Sequence, residues 1–256
     1  MEPLPYIFEV CLDSVHGAIE AEKGGATRIE LCANLIEGGT TPSLAMVQEC
    51  LAQVNLDVRV IVRPRGGDFL YSAEELAVMK QDILLLKEAG VKGVVIGLLK
   101  ENGQVDKAQT ATLIDAARPM EITFHRAFDV SRDPFEALED LIDLGVERIL
   151  TSGQKGSVPE GIEMIRLLVE RANGRIKILP GAGIQPEHVG MVLTTGVTEF
   201  HATAWETIES GMHFKNPEVY MGLPGLGEYE RKVTSHKEVK RYMDAIREYI
   251  NKEPRP

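Results

Sequence analysis

At 256 residues, 44% of them hydrophobic, the chain is long enough to bury one large core, and a single domain accounts for it. A formal net charge of −11 opposes general binding to phosphate backbones, and no run approaches the roughly 18 apolar residues of a membrane span, so neither nucleic acid nor membrane is an expected partner. The three cysteines are too few and too irregular for a disulfide framework; with no leader pattern over residues 1–5, they predict free thiols in a cytoplasmic setting.

Apolar runs rich in strand formers fall at residues 6–10, 28–31, 58–62, 94–96, 121–124, 148–150, 176–179 and 199–201. The second, fourth, sixth and eighth begin just after Gly25, Gly90, Gly145 and Gly196, where a left-handed glycine would stop a helix and feed a strand. Helical patterns fill the gaps. Thr41-Pro42 predicts a helix start with Leu44, Val47, Leu51 and Val54 on its apolar face and Cys50 packed beside it. Ser72-x-x-Glu75 opens a helix over 75–89, Asp133-Pro134-x-Glu136 another, and Ser157-x-x-Glu160 a third. Residues 210–234, rich in glycine, proline and charge, read as an extended loop or flap, and 235–250 as a terminal helix. Eight strand-helix units predict a (β/α)8 TIM barrel, one domain over 1–256 with a long insertion after the eighth strand.

Parity then sorts the side chains. The outer face of a barrel must be apolar to meet the helices, which assigns Phe8, Val10, Ile29, Leu31, Val58, Val60, Val62, Ile122, Phe124, Ile176, Ile178 and Phe200 outward. Glu9, Cys11, Glu30, Cys32, Arg59, Arg63, Thr123, His125, Leu150, Ser152, Leu179, Gly181, Glu199 and His201 then point inward. Branched apolar residues usually fill that space, so this polar set predicts a site at the carboxyl ends of the strands.

Glu9 and Glu30 are expected on neighbouring strands at similar depth, where two carboxylates need a proton or a cation between them, and Arg63 could supply the charge. With His125 as acid or base they form the candidate catalytic set: Glu9, Glu30, Arg63 and His125. Arg65, Ser152, Gly181, Gly183 and His201 are candidate contacts for a small anionic ligand, either after the third strand or in the Pro180-Gly181-Ala182-Gly183 turn. Cys11 and Cys32 share inward parity on adjacent strands, ~4.8 Å apart, so their sulfurs can approach and would suit a soft ion such as Cu(I). A structural partner protein would instead present an apolar patch, which the polar rim argues against.

Five ordered motifs are then in view: Glu30-Leu31-Cys32, Glu37-Gly38-Gly39-Thr40-Thr41-Pro42-Ser43, Arg63-Pro64-Arg65-Gly66-Gly67-Asp68-Phe69, Thr123-Phe124-His125-Arg126-Ala127-Phe128-Asp129 and Leu150-Thr151-Ser152-Gly153-Gln154. Together they resemble the CutC family, named for copper homeostasis, over residues 7–205. The resemblance implies a single cytoplasmic barrel that self-associates as a dimer or tetramer, with a copper link through Cys11 and Cys32. The expected function is weak or transient Cu(I) binding in copper homeostasis. The alternative is a metal-independent barrel enzyme on a small carboxylate or phosphate, with His125 and a glutamate exchanging protons while Arg63 and the 181–183 turn hold the anion.

Overall fold

The computed structural model describes residues 5–219 and 227–252. Eight parallel strands run β1 (Ile7–Leu12), β2 (Arg28–Leu31), β3 (Asp57–Ile61), β4 (Gly93–Ile96), β5 (Glu121–Phe124), β6 (Arg148–Thr151), β7 (Lys177–Pro180) and β8 (Glu199–Ala202). Their order around the sheet is β7-β6-β5-β4-β3-β2-β1-β8, and a single parallel bridge from Gly181 to His201 joins the two ends into a nearly closed (β/α)8 barrel.

Helices α1 (Val15–Gly24), α2 (Leu44–Gln53), α3 (Ala73–Glu88), α4 (Lys107–Ala117), α5 (Pro134–Asp143), α6 (Val158–Ala172) and α7 (Val189–Leu193) connect the strands, and α8 (His236–Lys252) follows the barrel. The four junction glycines adopt left-handed backbone, with φ from +71° at Gly145 to +93° at Gly25, which a side chain would strain. The Ser72–Glu75 capping box forms, and Asp133 accepts from the backbone of Phe135 and Glu136. Two helix starts differ from expectation. Ser43, not Thr41, caps α2, because Thr41 is held in an extended pairing with Arg63. Ser157 precedes α6 but makes no side-chain capping bond. On α2, Val47 and Cys50 are the buried residues, while Leu44 and Leu51 are only half-buried.

Two separate apolar clusters confirm the parity. Phe8, Val10, Ile29, Leu31, Val58, Val60, Val62, Ile122, Phe124, Ile176, Ile178 and Phe200 all belong to the large core between strands and helices. The second cluster is small: Cys11, Cys32, Ile61 and Val95, with Leu35 against it. Cys11, Cys32, Ile61 and Val95 share the inward parity, so this cluster is an apolar plug inside the barrel, and charged groups occupy the remainder.

The expected loop over 210–234 is partly a strand. β9 (Trp205–Glu209) pairs antiparallel with β10 (Glu230–Thr234), so the insertion leaves and returns as a two-stranded ribbon, whose second strand lies against α1. Its two ends are held by neighbouring backbone, which a composition rich in charge did not suggest. Residues 220–226 of the expected flap, and residues 1–4 of the expected leaderless terminus, lie outside the described residues.

Candidate functional site at the carboxyl ends of the strands

Strand registers decide which inward side chains meet. Cys11 lies opposite Glu30, Glu9 opposite Arg28 on β2 and opposite His201 on β8. Glu9 and Glu30 are therefore one inward position apart rather than level, and they have different partners.

Glu9 belongs to the lower layer, where buried charges alternate in sign. Arg28 bridges Glu9 and Glu199; Arg148 bridges Glu199, at 3.3 Å, and Glu121, at 2.9 Å; Arg59 bridges Glu121, at 3.0 Å, and Asp57, at 2.6 Å. Burial raises the Glu9 carboxyl, but the Arg28 charge and the hydrogen bonds of His201 and Arg28 outweigh it and hold Glu9 well below the usual carboxylate range. Arg28 and Arg148, which cross-link this layer, were not singled out from the sequence, although they share parity with Glu30 and Leu150.

One layer higher the groups are matched by shared protons rather than by fixed opposite charges. The Cys11 and Cys32 sulfurs are 3.7 Å apart, and the ligand atoms of Cys11, Glu30 and Cys32 all lie within 4.8 Å of one another. His201 joins the layers, with Nδ1 2.8 Å from Glu9 and Nε2 3.6 Å from Glu30. Glu30 Oε1 has no hydrogen-bond partner. The hydrogen bond from Cys32 lowers the Cys11 thiol against the effect of burial, and His201 adds to it, bringing Cys11 down to about 6. The same bond, with burial, pushes Cys32 well up, so Cys11 is the sulfur that sheds its proton first. Burial, reinforced by the Cys11 charge, raises the Glu30 carboxyl well above its ordinary value and keeps it protonated. Burial lowers the His201 imidazole, but its bonds to Cys11 and Glu9 prevail and hold it protonated. Cys50 sits apart on α2, its thiol pushed up to about 11 by burial.

Arg63 does not supply the charge expected between the glutamates. Its guanidinium donates to the carbonyls of Glu37 at 2.7 Å, Gly39 at 2.9 Å and Gly67 at 2.8 Å, pinning the loops after β2 and β3. His125 is not bonded to a glutamate: Nδ1 accepts from Ala127 N–H at 3.1 Å, and burial together with the Arg63 charge lowers the imidazole to about 3. An imidazole held neutral in that way is a hydrogen-bond donor rather than a proton shuttle near neutral pH.

The remaining candidates separate. Arg65 is on the surface, paired with Glu75 and Asp68. Ser152 gives its N–H and hydroxyl to Asp129, which also accepts from Thr151, Gln154 and Arg126; Asp129 is thus the organiser of the loop after β6. Gly181 spends its N–H on Thr151, and a Cβ there would lie 2.5 Å from Leu150, so packing accounts for that glycine. Gly183, at φ +68°, packs on Ser157. This turn follows β7, four strands from β3 and thus across the barrel from Arg63, so the two do not grip one small anion together.

Fold and site define a (β/α)8 barrel whose mouth carries a charge-paired dithiol. Residues 6–206 match the CutC family, and the chain belongs to it. It is 49% identical over 247 residues to the human protein named copper homeostasis protein cutC homolog, covering 96% of this chain and 90% of that one. A Bacteroides fragilis family protein CutC is 49% identical over 246 residues, covering 94% and 97%. The crystal structure of the Streptococcus agalactiae CutC protein superposes with a TM-score of 0.74 at 35% identity, covering 77% of this chain and 98% of that one. A Pyrococcus furiosus thiamine phosphate pyrophosphorylase shares the fold alone, with a TM-score of 0.58 at 14% identity, covering 96% of this chain and 98% of that one. Among the described residues, no helix is long and apolar enough to cross a membrane.

Proposed function

We propose that the protein takes part in copper homeostasis by binding Cu(I) weakly and reversibly between Cys11 and Cys32, in the cytoplasm where thiols stay reduced. One observation carries this reading: two buried sulfurs 3.7 Å apart beside Glu30, with the Cys11 thiol lowered to about 6. At a metal–thiolate bond of ~2.3 Å, that spacing corresponds to a bent S–metal–S angle of about 107°, whereas a linear pair would need about 4.6 Å. A bent pair calls for a third donor, and the Glu30 carboxyl is in reach. Oxygen is a poor partner for a soft ion, and both Cys32 and Glu30 must shed a proton to ligate, so the site favours release over storage. The names of the human and Streptococcus agalactiae relatives support the same reading.

The test is a titration of reduced protein with Cu(I) against a competing chelator. Cys11→Ser and Cys32→Ser should each weaken binding by more than about tenfold, ~1.4 kcal/mol, while Cys50→Ala leaves it unchanged. Affinity should fall as pH falls, because protons compete for the sulfurs. Unaltered affinity in the double Cys11→Ser, Cys32→Ser variant would sink the proposal.

A further inference from the structure

Where β3, β4 and β5 end at the barrel mouth, three polar atoms are buried without a hydrogen-bond acceptor or donor of good geometry: Arg63 Nε, Tyr71 Oη and His125 Nε2. The registers of β3 with β4 and of β4 with β5, continued past Ile61–Val95 and Ile96–Phe124, set Arg63, Gly97 and His125 side by side on three adjacent strands. Gly97 leaves the middle position empty, and the imidazole fills it: a Cβ on Gly97 would lie 2.3 Å from His125 Cε1. His125 therefore leans across β4 toward Arg63. Phe69 is their common neighbour, its ring centre 4.9 Å from that of His125 and 5.1 Å from the Arg63 guanidinium carbon. Tyr71 follows two residues later. Burial pushes its phenol up to about 12, opposed by the Arg63 guanidinium, which is close enough to act on the phenol oxygen by both charge and hydrogen bonding.

The polarity of each atom is fixed by what its neighbours already do. Nδ1 of His125 accepts from Ala127 N–H, so a neutral ring carries its proton on Nε2. Three of the four terminal N–H groups of Arg63 are committed to carbonyls, leaving Nε–H and one hydrogen on Nη2. The buried phenol offers O–H. All three are donors, and one carries a full positive charge. Buried donors left in this state point to a missing acceptor.

We propose that Arg63, Tyr71 and His125 form a binding site for the carboxylate of a small organic acid. One fixed positive charge matches one carboxylate, whereas a phosphate dianion would leave a buried charge unbalanced. Phe69, half-buried on the loop that carries Gly66 and Gly67, lies against both His125 and Arg63. The site shares no residue with the dithiol and does not rest on copper binding. The two are nonetheless neighbours through Gly39, whose carbonyl accepts from Arg63 and whose Cα packs beside the Cys32 sulfur.

The experiment follows imidazole nitrogen resonances of the intact protein at neutral pH while acetate, malonate or inorganic phosphate is added. Before addition, His125 should already be the Nε2–H tautomer. Acetate and malonate should shift that Nε2–H resonance, and Tyr71→Phe should weaken their binding roughly tenfold, the loss of one hydrogen bond to a charged group, without lowering the melting temperature. Because Arg63→Ala would release three loop carbonyls and endanger folding, Tyr71→Phe and His125→Gln carry the test. An Nδ1–H tautomer, or no shift with any probe, overturns the site. Phosphate binding in preference to both acids overturns the carboxylate assignment. A Tyr71→Phe variant that melts lower but binds acetate as well as wild type makes Tyr71 a structural partner of Arg63 and also overturns it.

Discussion

Two layers of the same barrel interior, one position apart along the strands, solve the problem of buried polarity in opposite ways. In the lower layer each guanidinium of Arg28, Arg148 and Arg59 lies between two carboxylates, and each of Glu199 and Glu121 lies between two guanidinium groups. Asp57 Oδ1, Arg59 Nε and Nη1 and Glu199 Oε1 still lack a hydrogen bond there, but each charge has an opposite charge beside it. In the upper layer, the Cys11–Cys32 pair, a protonated carboxyl and an imidazolium share protons, and Glu30 Oε1 has no partner. Burial alone does not distinguish the layers. The kind of pairing does: fixed opposite charges below, shared protons above, and the layer that shares protons is the one with chemistry to offer.

The largest expected effect comes from breaking the lower layer. Arg28→Met removes the guanidinium between Glu9 and Glu199, leaving Glu9 to His201 and Glu199 to Arg148, and should cost about 3–5 kcal/mol by urea unfolding. It should also move acid unfolding to higher pH. The folded Glu9 pKa lies below its ordinary 4.5, so its stabilisation is present above 4.5 and is lost as pH falls through the folded value. Without Arg28 that folded value rises, so the variant starts from lower stability but loses less of it from Glu9 on going acid. A cost under ~1 kcal/mol would mean that the lower layer is not what holds the barrel interior.

A smaller effect sharpens the upper layer. Thiolate absorbance of the reduced native protein should rise around pH 6 rather than near 9.0. Cys11→Ser should abolish that early rise, and Cys50→Ala should leave it, since the Cys50 thiol is pushed the other way. A folded thiol pKa below the unfolded one adds stability that is full above about 9.0 and is lost as pH falls through about 6. Cys32 shifts oppositely, so the step belongs to the pair rather than to one sulfur. A single rise near 9.0 would place the dithiol among ordinary buried cysteines.

The contrast between the layers also marks how far the sequence could be read. The strands, the junction glycines and the inward parity were legible because alternation and left-handed glycine are local signals. Register was not. Whether Glu9 faces Arg28 or Glu30 depends on the stagger between strands, which no single strand encodes. Arg28 and Arg148 could have been found by extending parity to the first residue of each strand, where a charge is easily taken for an edge. Tyr71 lies in a loop and Asp129 in the short 3-10 turn after β5, and their roles come from tertiary contacts that periodicity does not carry. The Cys11–Cys32 approach was visible because shared parity on adjacent strands is enough to bring two side chains together. His125 was placed at the rim correctly, but its neutral state follows from burial, the Arg63 charge and the Ala127 N–H, all fixed only in three dimensions.

The smallest expected effect is the most discriminating, because it exchanges one glutamate for its amide in each layer. Burial and the Cys11 charge hold the folded Glu30 carboxyl protonated well above 4.5, so Glu30→Gln replaces one neutral group by another and should change stability by less than about 1 kcal/mol near neutral pH. Glu9→Gln removes a charge that faces both Arg28 and His201 and should cost about 3 kcal/mol or more. The two variants should also bend the pH profile in opposite senses. A raised carboxyl favours the folded state least at high pH, since its stabilisation is full below 4.5 and is lost as pH rises through the folded value. Glu30→Gln should therefore lose less stability than wild type on going alkaline, whereas Glu9→Gln should lose less on going acid. Urea unfolding of both variants at acidic, neutral and alkaline pH reads this directly. If Glu30→Gln proves as costly as Glu9→Gln at neutral pH, then Glu30 is ionised and paired, and the two layers are one.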